Sequence, residues 1–501
     1  MSFYITTPIY YVNAQPHLGH AYTTIACDVL ARHQRQRGEE VFFLTGTDEH
    51  GEPVADAAHA QGVSPQELAD RNAERFKALA PQLGASNDFF IRTTDEEHKR
   101  RVQEVLQRVH ENGHTYKDLY EGWYCPRCAD FKVENEIAEG NRCPIHEIHL
   151  ERHSEENWFF RLSTFQKPLE ELYAGQRDFV MPPRHFNEAN SFINSGLQDV
   201  SLSRGRLKWG IPVPWDPGHV FYVWFDALLN YYTALGYAQP GVDLTDKFWP
   251  ATYHVIGKDI LKFHTVFWPA LLMAAELPLP EHVFVHGFLL GADGRKMSKS
   301  LGNVLDPFEV INQYGTDALR FYLMRDVPFG GDGTVGMDAV HSRYESELAN
   351  EYGNLASRTV AMIHRYRNGV VPDVAVDPIL AGDFEPLPER VSALLDRAEI
   401  TLALEEIWSR VRRGNRYAEE RAPWQLAKDP AAAGELDATL ASLAEAVRVL
   451  SVLLTPFIPV SAARLLDALG APDVSFTAAS FAARGGGRTV SAIEPLFPKR
   501  S

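Results

Sequence analysis

Four short apolar runs constrain this chain most. FYITTPIYY (Phe3 to Tyr11), EVFFLTG (Glu40 to Gly46), TYHVIG (Thr252 to Gly257) and EHVFVHGFLL (Glu281 to Leu290) are too brief for helices and read as buried strands. Segments of helical period separate them. The first, HAYTTIACDVLARHQRQRG, runs from His20 to Gly38, with Gly38 as its stop. Buried strands alternating with helices predict an open, doubly wound α/β sheet whose ligands bind at the carboxyl ends of the strands.

The pattern breaks twice. Between roughly 115 and 222 the chain turns aromatic and turn-rich, as in WGIPVPWDPGH, and strand signals resume at Phe221. This stretch reads as a domain inserted into the sheet domain. From about Asp338 the segments are long and helical, divided by Pro and Gly, and read as an α-helical bundle ending in an extended tail. The expected division is 1–115 for the first half of the sheet domain, 116–222 for the insertion, 223–337 for the second half, and 338–501 for the helical domain and tail.

A chain of 501 residues with 45% hydrophobic and 23% charged residues has the composition of a multidomain globular protein. It holds no run of about eighteen apolar residues that would span a membrane. MSFYITTPIYYVNAQ lacks the basic start and small-residue cleavage site of a signal peptide, so a cytoplasmic address is expected. The net charge of −17 argues against a surface that grips nucleic acid everywhere, while leaving room for a local basic strip.

Two stretches carry chemistry. PHLGHAYTT places His17 and His20 where the first strand gives way to the first helix, with Gly19 between them letting a ligand approach the backbone. A helix N-terminus in that setting favours anions, phosphates above all; read alone, the pair is equally two ordinary histidines at a helix start. GADGRKMSKSLGN offers Lys296 and Lys299 on a loop flanked by Gly291, Gly294 and Gly302. Ammonium groups on a loop that can close suit phosphate oxygens, although a solvated turn has the same composition.

HLGH at 17–20 followed by KMSKS at 296–300 resembles the paired signature of the class I aminoacyl-tRNA synthetases. The segments TPIYYVNAQPHLGHAYT, LTGTDEHGEP, YVWFDALLNYY, IGKDILKFHTVFWPA, GNLASR and RAPWQLAK are similar to the methionyl members of that family over nearly the whole length. The resemblance implies a Rossmann-like catalytic domain that activates L-methionine with ATP and Mg2+ to methionyl-adenylate. The methionyl group would then pass to the 3′ end of tRNA(Met), with initiator and elongator forms both expected as partners. In that reading His17, Gly19, His20 and Lys299 hold ATP, and Lys296 and Lys299 neutralise the departing pyrophosphate. Asp48 binds the substrate ammonium. Ile9, Tyr11, Trp224, Ala227, Leu228, Tyr231, Ile260, His264 and Trp268 line the methionine pocket, where aromatic walls suit a polarizable thioether; Leu228 stands where some members carry proline. Asn354, Arg358 and Trp424 match positions that read the anticodon.

Of four cysteines, Cys125, Cys128 and Cys143 cluster in the inserted stretch. Cys125-x2-Cys128 and Cys143-x2-His146 form two short pairs with fourteen residues between them, the spacing of a closed structural Zn2+ knuckle. His149 and His153 are rival fourth ligands, and Cys27 on the first helix reads as a small buried apolar residue. In the helical part, WSRVRRGNRYAEERAPWQLAK brings Arg410, Arg412, Arg413, Arg416, Arg421 and Lys428 together with Tyr417 and Trp424. That mixture suits phosphates and unpaired bases, or a solvated helix face with a packed Trp. Other specificities, such as cysteine, fit the aromatic pocket poorly. A non-catalytic tRNA-binding paralogue does not need both signatures intact. A monomer is expected, since no dimerising module follows the helical part.

Overall fold

The computed structural model describes residues 2–126, 130–132, 137–145, 147–295, 297, 303–481 and 485–500. Its centre is a parallel sheet. Strand β1 (Ser2–Thr6) lies between β3 (Glu40–Asp48) and the strand Tyr253–Gly257, which pairs in turn with His282–His286. Short β2 (Tyr10–Tyr11) continues β1 along the end of β3, and β4 (Phe89–Arg92) pairs with β3 as well. Alternate residues of each strand enter different cores. Phe3, Ile5, Phe43 and Val255 pack on one side, while Tyr4, Phe42, Leu44 and Ile256 pack on the other. Burial on both faces explains why these runs are apolar throughout instead of alternating with polar residues.

Helix α1 (Leu18–Gln36) crosses the first face and ends as its sequence predicts, with Gly38 at φ +81° and Glu39 N–H donating back to Gln34 O at 3.1 Å. Cys27 on this helix is fully buried, its Sγ 3.6 Å from Thr6 O.

Two features differ from the sequence reading. The run Glu281 to Leu290 is not one strand. Pairing with the main sheet stops at His286, and Gly287 abuts Gly331 so closely that a Cβ would sit 2.3 Å from its backbone. The chain then bends, and Leu289–Gly291 pairs with Gly333–Val335. Within 116–222, Val180–Met181 leaves the insertion and joins the main sheet beside His282–His286. Two residues carry too little periodicity for a sequence to announce them as a strand.

The rest of the insertion is antiparallel. Thr115–Cys125 and Glu151–Phe160 form a long ladder flanked by Asp130–Lys132 and Val200–Ser201. Beyond Gly336 the chain is helical, from Met337–Arg343 through Asn354–Arg367 and Ile400–Arg421 to Ala433–Leu454 and Pro459–Ala468. This bundle shares one continuous core with α1. A fully buried pair links them. Arg320 Nη2 lies 2.7 Å from Asp28 of α1, and the guanidinium also donates to the carbonyls of Leu83, Pro456 and Phe457. Among the described residues, no helix is long and apolar enough to cross a membrane.

Candidate active site

The carboxyl ends of β1, β3 and Tyr253–Gly257 meet the start of α1. His17 caps that helix. Its Nδ1 accepts the Gly19 N–H at 3.1 Å, while His20 Nδ1 accepts the His17 N–H at 3.0 Å. The two rings stack with centroids 3.7 Å apart, and a Cβ on Gly19 would press to 3.0 Å from the His17 ring, so glycine keeps the cap open. Because both Nδ1 atoms accept, the neutral rings carry their protons on Nε2. Burial, and then the charge of His17, holds His20 well below the usual histidine range; burial lowers His17 as well. The two histidines therefore offer uncharged N–H donors at neutral pH.

Three buried acids gather across from them, and two are matched. Glu49 takes Arg92 Nε and Nη2, each at 2.8 Å, the Thr47 hydroxyl at 2.6 Å, and Thr94. Asp226 takes His50 Nδ1 at 2.6 Å and His98 Nε2 at 2.8 Å, which holds its carboxyl below the usual range despite burial. The third, Asp48, ends β3. It is 4% exposed, and its Oδ1 has no hydrogen-bond partner among the described residues. Burial, then the charges of Asp226 and Glu49, push its carboxyl well above the usual range. A buried oxygen of this kind calls for a cation to complete it. The sequence reading names Asp48 but misses Glu49, Asp226, His50 and His98. For Asp226 the signal is an acid set into the apolar run YVWFDALL; Glu49 and His50 closely follow the buried run EVFFLTG, and His98, in the polar stretch DEEHKRR, carries no such signal.

Beside Asp48 lies an uncharged aromatic wall. Tyr11 is its register partner in β2, and Ile9, Tyr11, Trp224 and Ile260 are half-buried against one core. Trp224 stacks on Phe263 at 3.8 Å. Ala227 and Leu228 are buried in the helix Val223–Leu228. The turn Phe263–Phe267 is π-helical, a distortion common at functional sites. His264 within it donates from Nδ1 to Ile260 O at 3.1 Å and accepts the Tyr231 hydroxyl at Nε2, 2.8 Å away. Behind it, fully buried Trp268 donates to His254 Nε2 at 3.2 Å, and His254 bonds Thr6 Oγ1 at 2.9 Å. Burial lowers His264 to about 4 and His254 well below the usual range, so this wall is neutral. His254 and Thr6 are absent from the sequence reading because their link depends on β1 pairing with a strand some 250 residues away.

Lys296 and Lys299 lie outside the described residues. The ends of their loop share one anchor, Asp293, which accepts Arg295 N–H at 3.0 Å and Asn303 Nδ2 at 3.2 Å on Oδ1. Cys128 and His146 also lie outside the described residues. Cys125 and Cys143 are both buried and share a small cluster with Leu150, so two predicted ligands come together. No group of three or more metal-binding side chains occurs among the described residues.

In the bundle, Asn354 is exposed at the start of Asn354–Arg367, and Arg358 spans to the half-buried Trp424 with its guanidinium 5.1 Å from the ring. Arg358 also pairs with Glu419 at 2.8 Å. The basic helix face is less available than the sequence suggests. Arg412, Arg413 and Arg421 pair with Glu405, Asp383 and Asp377, and Arg410 bonds Asp383 O. Tyr417 is 2% exposed and bonds Asp377, so it offers no stacking face. Arg416 and Lys428 remain exposed.

Comparison with known proteins agrees with this geometry. The family described as tRNA synthetases class I (M) matches residues 3–152 and 132–360, and the anticodon binding domain of methionyl tRNA ligase matches residues 377–500. The methionine–tRNA ligase of Caldanaerobacter subterraneus subsp. tengcongensis is 44% identical over 99% of this chain and 79% of its own length. That of Brucella melitensis is 45% identical over 99% of this chain and 98% of its own. The solved structure of Mycobacterium tuberculosis methionyl-tRNA synthetase in complex with methionyl-adenylate superposes with a TM-score of 0.96 at 40% identity, covering 99% of this chain and 100% of that one.

The parallel sheet, the histidine-capped helix at its carboxyl edge and the helical bundle define a class I aminoacyl-tRNA synthetase. Within that class the chain belongs to the methionine–tRNA ligase family, ATP-dependent enzymes that join methionine to tRNA.

Proposed function

We propose that this chain activates L-methionine at the carboxyl edge of its main sheet and passes it to initiator and elongator tRNA(Met), with the residue roles as follows. One observation carries the reading: Asp48 is a buried carboxylate with an unmatched oxygen, set between the histidine cap of α1 and a neutral aromatic wall. A methionine ammonium completes it, and the thioether then lies against Ile9, Tyr11, Trp224, Ala227, Leu228, Tyr231, Ile260, His264 and Trp268. The methionine carboxylate attacks the α-phosphorus of ATP, the bond to pyrophosphate breaks, and the Nε2–H groups of His17 and His20 stabilise charge spreading over the phosphate oxygens. Gly19 leaves room for the nucleotide. Mg2+ enters with ATP, and Lys296 and Lys299 take up the pyrophosphate. A tRNA hydroxyl then attacks the methionyl carbonyl and releases AMP.

Asn354, Arg358 and Trp424 read the anticodon; a ring beneath a guanidinium suits an unpaired base. The units are 1–115 and 223–337 for catalysis, 116–222 for the insertion and 338–501 for tRNA. Cys125, Cys128, Cys143 and His146 would hold Zn2+, which ties the strand end at Cys125 to the turn at Cys143 and takes no part in the chemistry. Buried thiols in so small a cluster support it. The working state is a cytoplasmic monomer, checked by light scattering. Charging of tRNA(Met) with labelled methionine tests the whole reading, and a chain that charges no tRNA under saturating ATP and methionine contradicts it.

A further inference from the structure

The methionine site is assembled from segments far apart in sequence, and one buried hydrogen-bond chain joins them. Asp48 ends β3, Trp224, Ala227 and Leu228 belong to the helix Val223–Leu228, and Tyr231 belongs to the next helix, Asn230–Thr233. Helices of six and four residues do not hold their own place, so tertiary contacts must fix them. With about 3.6 residues per turn, Trp224, Ala227 and Leu228 share one face of the first, and Asp226 leaves from the opposite face.

There Asp226 is buried, accepting His50 Nδ1 on one oxygen at 2.6 Å and His98 Nε2 on the other at 2.8 Å. His50 lies two residues beyond Asp48, on a turn that Gly51, at φ +97°, brings against Val223; a Cβ on Gly51 would sit 3.3 Å from the Val223 Cβ. Trp209 holds the same turn, its Nε1–H donating to Glu49 O at 2.6 Å. His98 is fully buried on the helix Glu96–Glu111, and its Nδ1 lies 2.7 Å from the hydroxyl of Thr233, two residues beyond Tyr231. The chain His50–Asp226–His98–Thr233 therefore ties the turn after Asp48 to two segments of the side-chain wall. Apolar side chains can often replace a buried ionic group with no loss of stability, so this one calls for a role beyond stability.

We propose that Asp226 is a positioning residue. By clasping His50 and His98 it sets the separation between Asp48 and the wall of Trp224, Ala227 and Leu228, and so fixes the length of side chain that the pocket admits. The proposal rests on the ligase reading above, which places methionine between the two. The test measures kcat/KM in pyrophosphate exchange without tRNA, for methionine and for ethionine, its homologue one methylene longer. A fixed pocket separates such homologues by about 10–200-fold. Asp226→Ala and His98→Leu each narrow the parental ratio by about fivefold or more, because a wall no longer held makes room for the extra methylene. In both, the KM for methionine rises more than kcat falls. Asp226→Asn can keep both contacts, its oxygen accepting His98 and its amide donating to His50 once the proton of that ring moves to Nε2. It loses the charge, which weakens methionine and ethionine alike, so its ratio stays parental. Destabilisation alone would lower the amount of active enzyme and leave the ratio and both KM values unmoved. A parental ratio in Asp226→Ala and His98→Leu overturns the proposal. So does an equal narrowing in Asp226→Asn, which would make charge and not geometry responsible. An absence of methionine-dependent exchange in the parent enzyme would instead overturn the ligase reading itself.

Discussion

Asp48→Asn separates stability from function in opposite directions. Asp48 is buried beside Glu49 and Asp226, whose charges are already matched, so its own charge waits for the substrate ammonium. Removing one partner of a buried ion pair costs about 3–5 kcal/mol, and about 1.4 kcal/mol is tenfold. The KM for methionine in pyrophosphate exchange should therefore rise by roughly two to three and a half orders of magnitude. The ammonium contact is made in ground and transition states alike, so kcat should change much less. The folded protein without substrate should gain. A carboxyl raised above its unfolded value is a liability that grows as pH rises from the unfolded pKa toward the folded one. Asn keeps the unmatched oxygen but not the charge, and removing that buried charge is worth about 1–3 kcal/mol, which for a chain of this length is a melting temperature ~1–3 °C higher at pH 7.5. The gain should vanish toward pH 4, where the carboxyl is protonated in both states. Methionine should raise the parent's melting temperature and leave the variant's unmoved. A variant with parental methionine KM and an unshifted melting curve would refute this account of Asp48.

Other consequences follow from the same structure. His20→Ala should lower kcat for exchange by about 10²–10³-fold, as loss of a single transition-state donor does, with His20→Asn retaining more because it keeps an N–H. Since burial keeps both histidines neutral, the KM for ATP should be flat between pH 7 and 8 and worsen only on the acid side, where a protonated Nδ1 can no longer accept the Gly19 and His17 N–H groups and the cap is lost. Arg320→Met should destabilise by about 3–5 kcal/mol in denaturant unfolding, because it removes the fully buried one of the two guanidiniums that neutralise Asp28 and leaves the carbonyls of Leu83, Pro456 and Phe457 without that donor; Asp28 has its carboxyl held low by Arg320 and Arg32, so the stability that pairing supplies in the parent is present above the unfolded pKa and lost as pH falls through the folded one. Trp424→Ala should cut kcat/KM for tRNA by roughly ten- to a hundredfold through lost stacking while exchange persists. Metal analysis should find about one zinc per chain, and Cys125→Ser should lose it with exchange retained.

Much of this site was legible because its signals are local. The stop of α1 needs only Gly38, and the placing of His17 and His20 at its start needs only the change from an apolar run to a helical period. What stayed hidden depends on contacts between distant segments. Nothing in the sequence announces Val180–Met181 as a strand, since its partner lies a hundred residues on and supplies the pairing. The arginines of Ile400–Arg421 read as free cations until their acidic partners are placed; Asp377 and Asp383 lie outside the segment, on or beside a different helix. Tyr417 reads as an exposed ring for the same reason. Asp48 was named through resemblance, but its chemical need became visible only when Arg92, His50 and His98 were seen to satisfy the two neighbouring acids.

ATP–pyrophosphate exchange, measured without tRNA for each amino acid in turn, tests the central claim most directly. The neutral wall around Tyr231 and His264 and the unmatched carboxylate of Asp48 predict exchange with methionine and with no other amino acid at comparable efficiency. Exchange supported equally by cysteine or leucine, or by none, would contradict it.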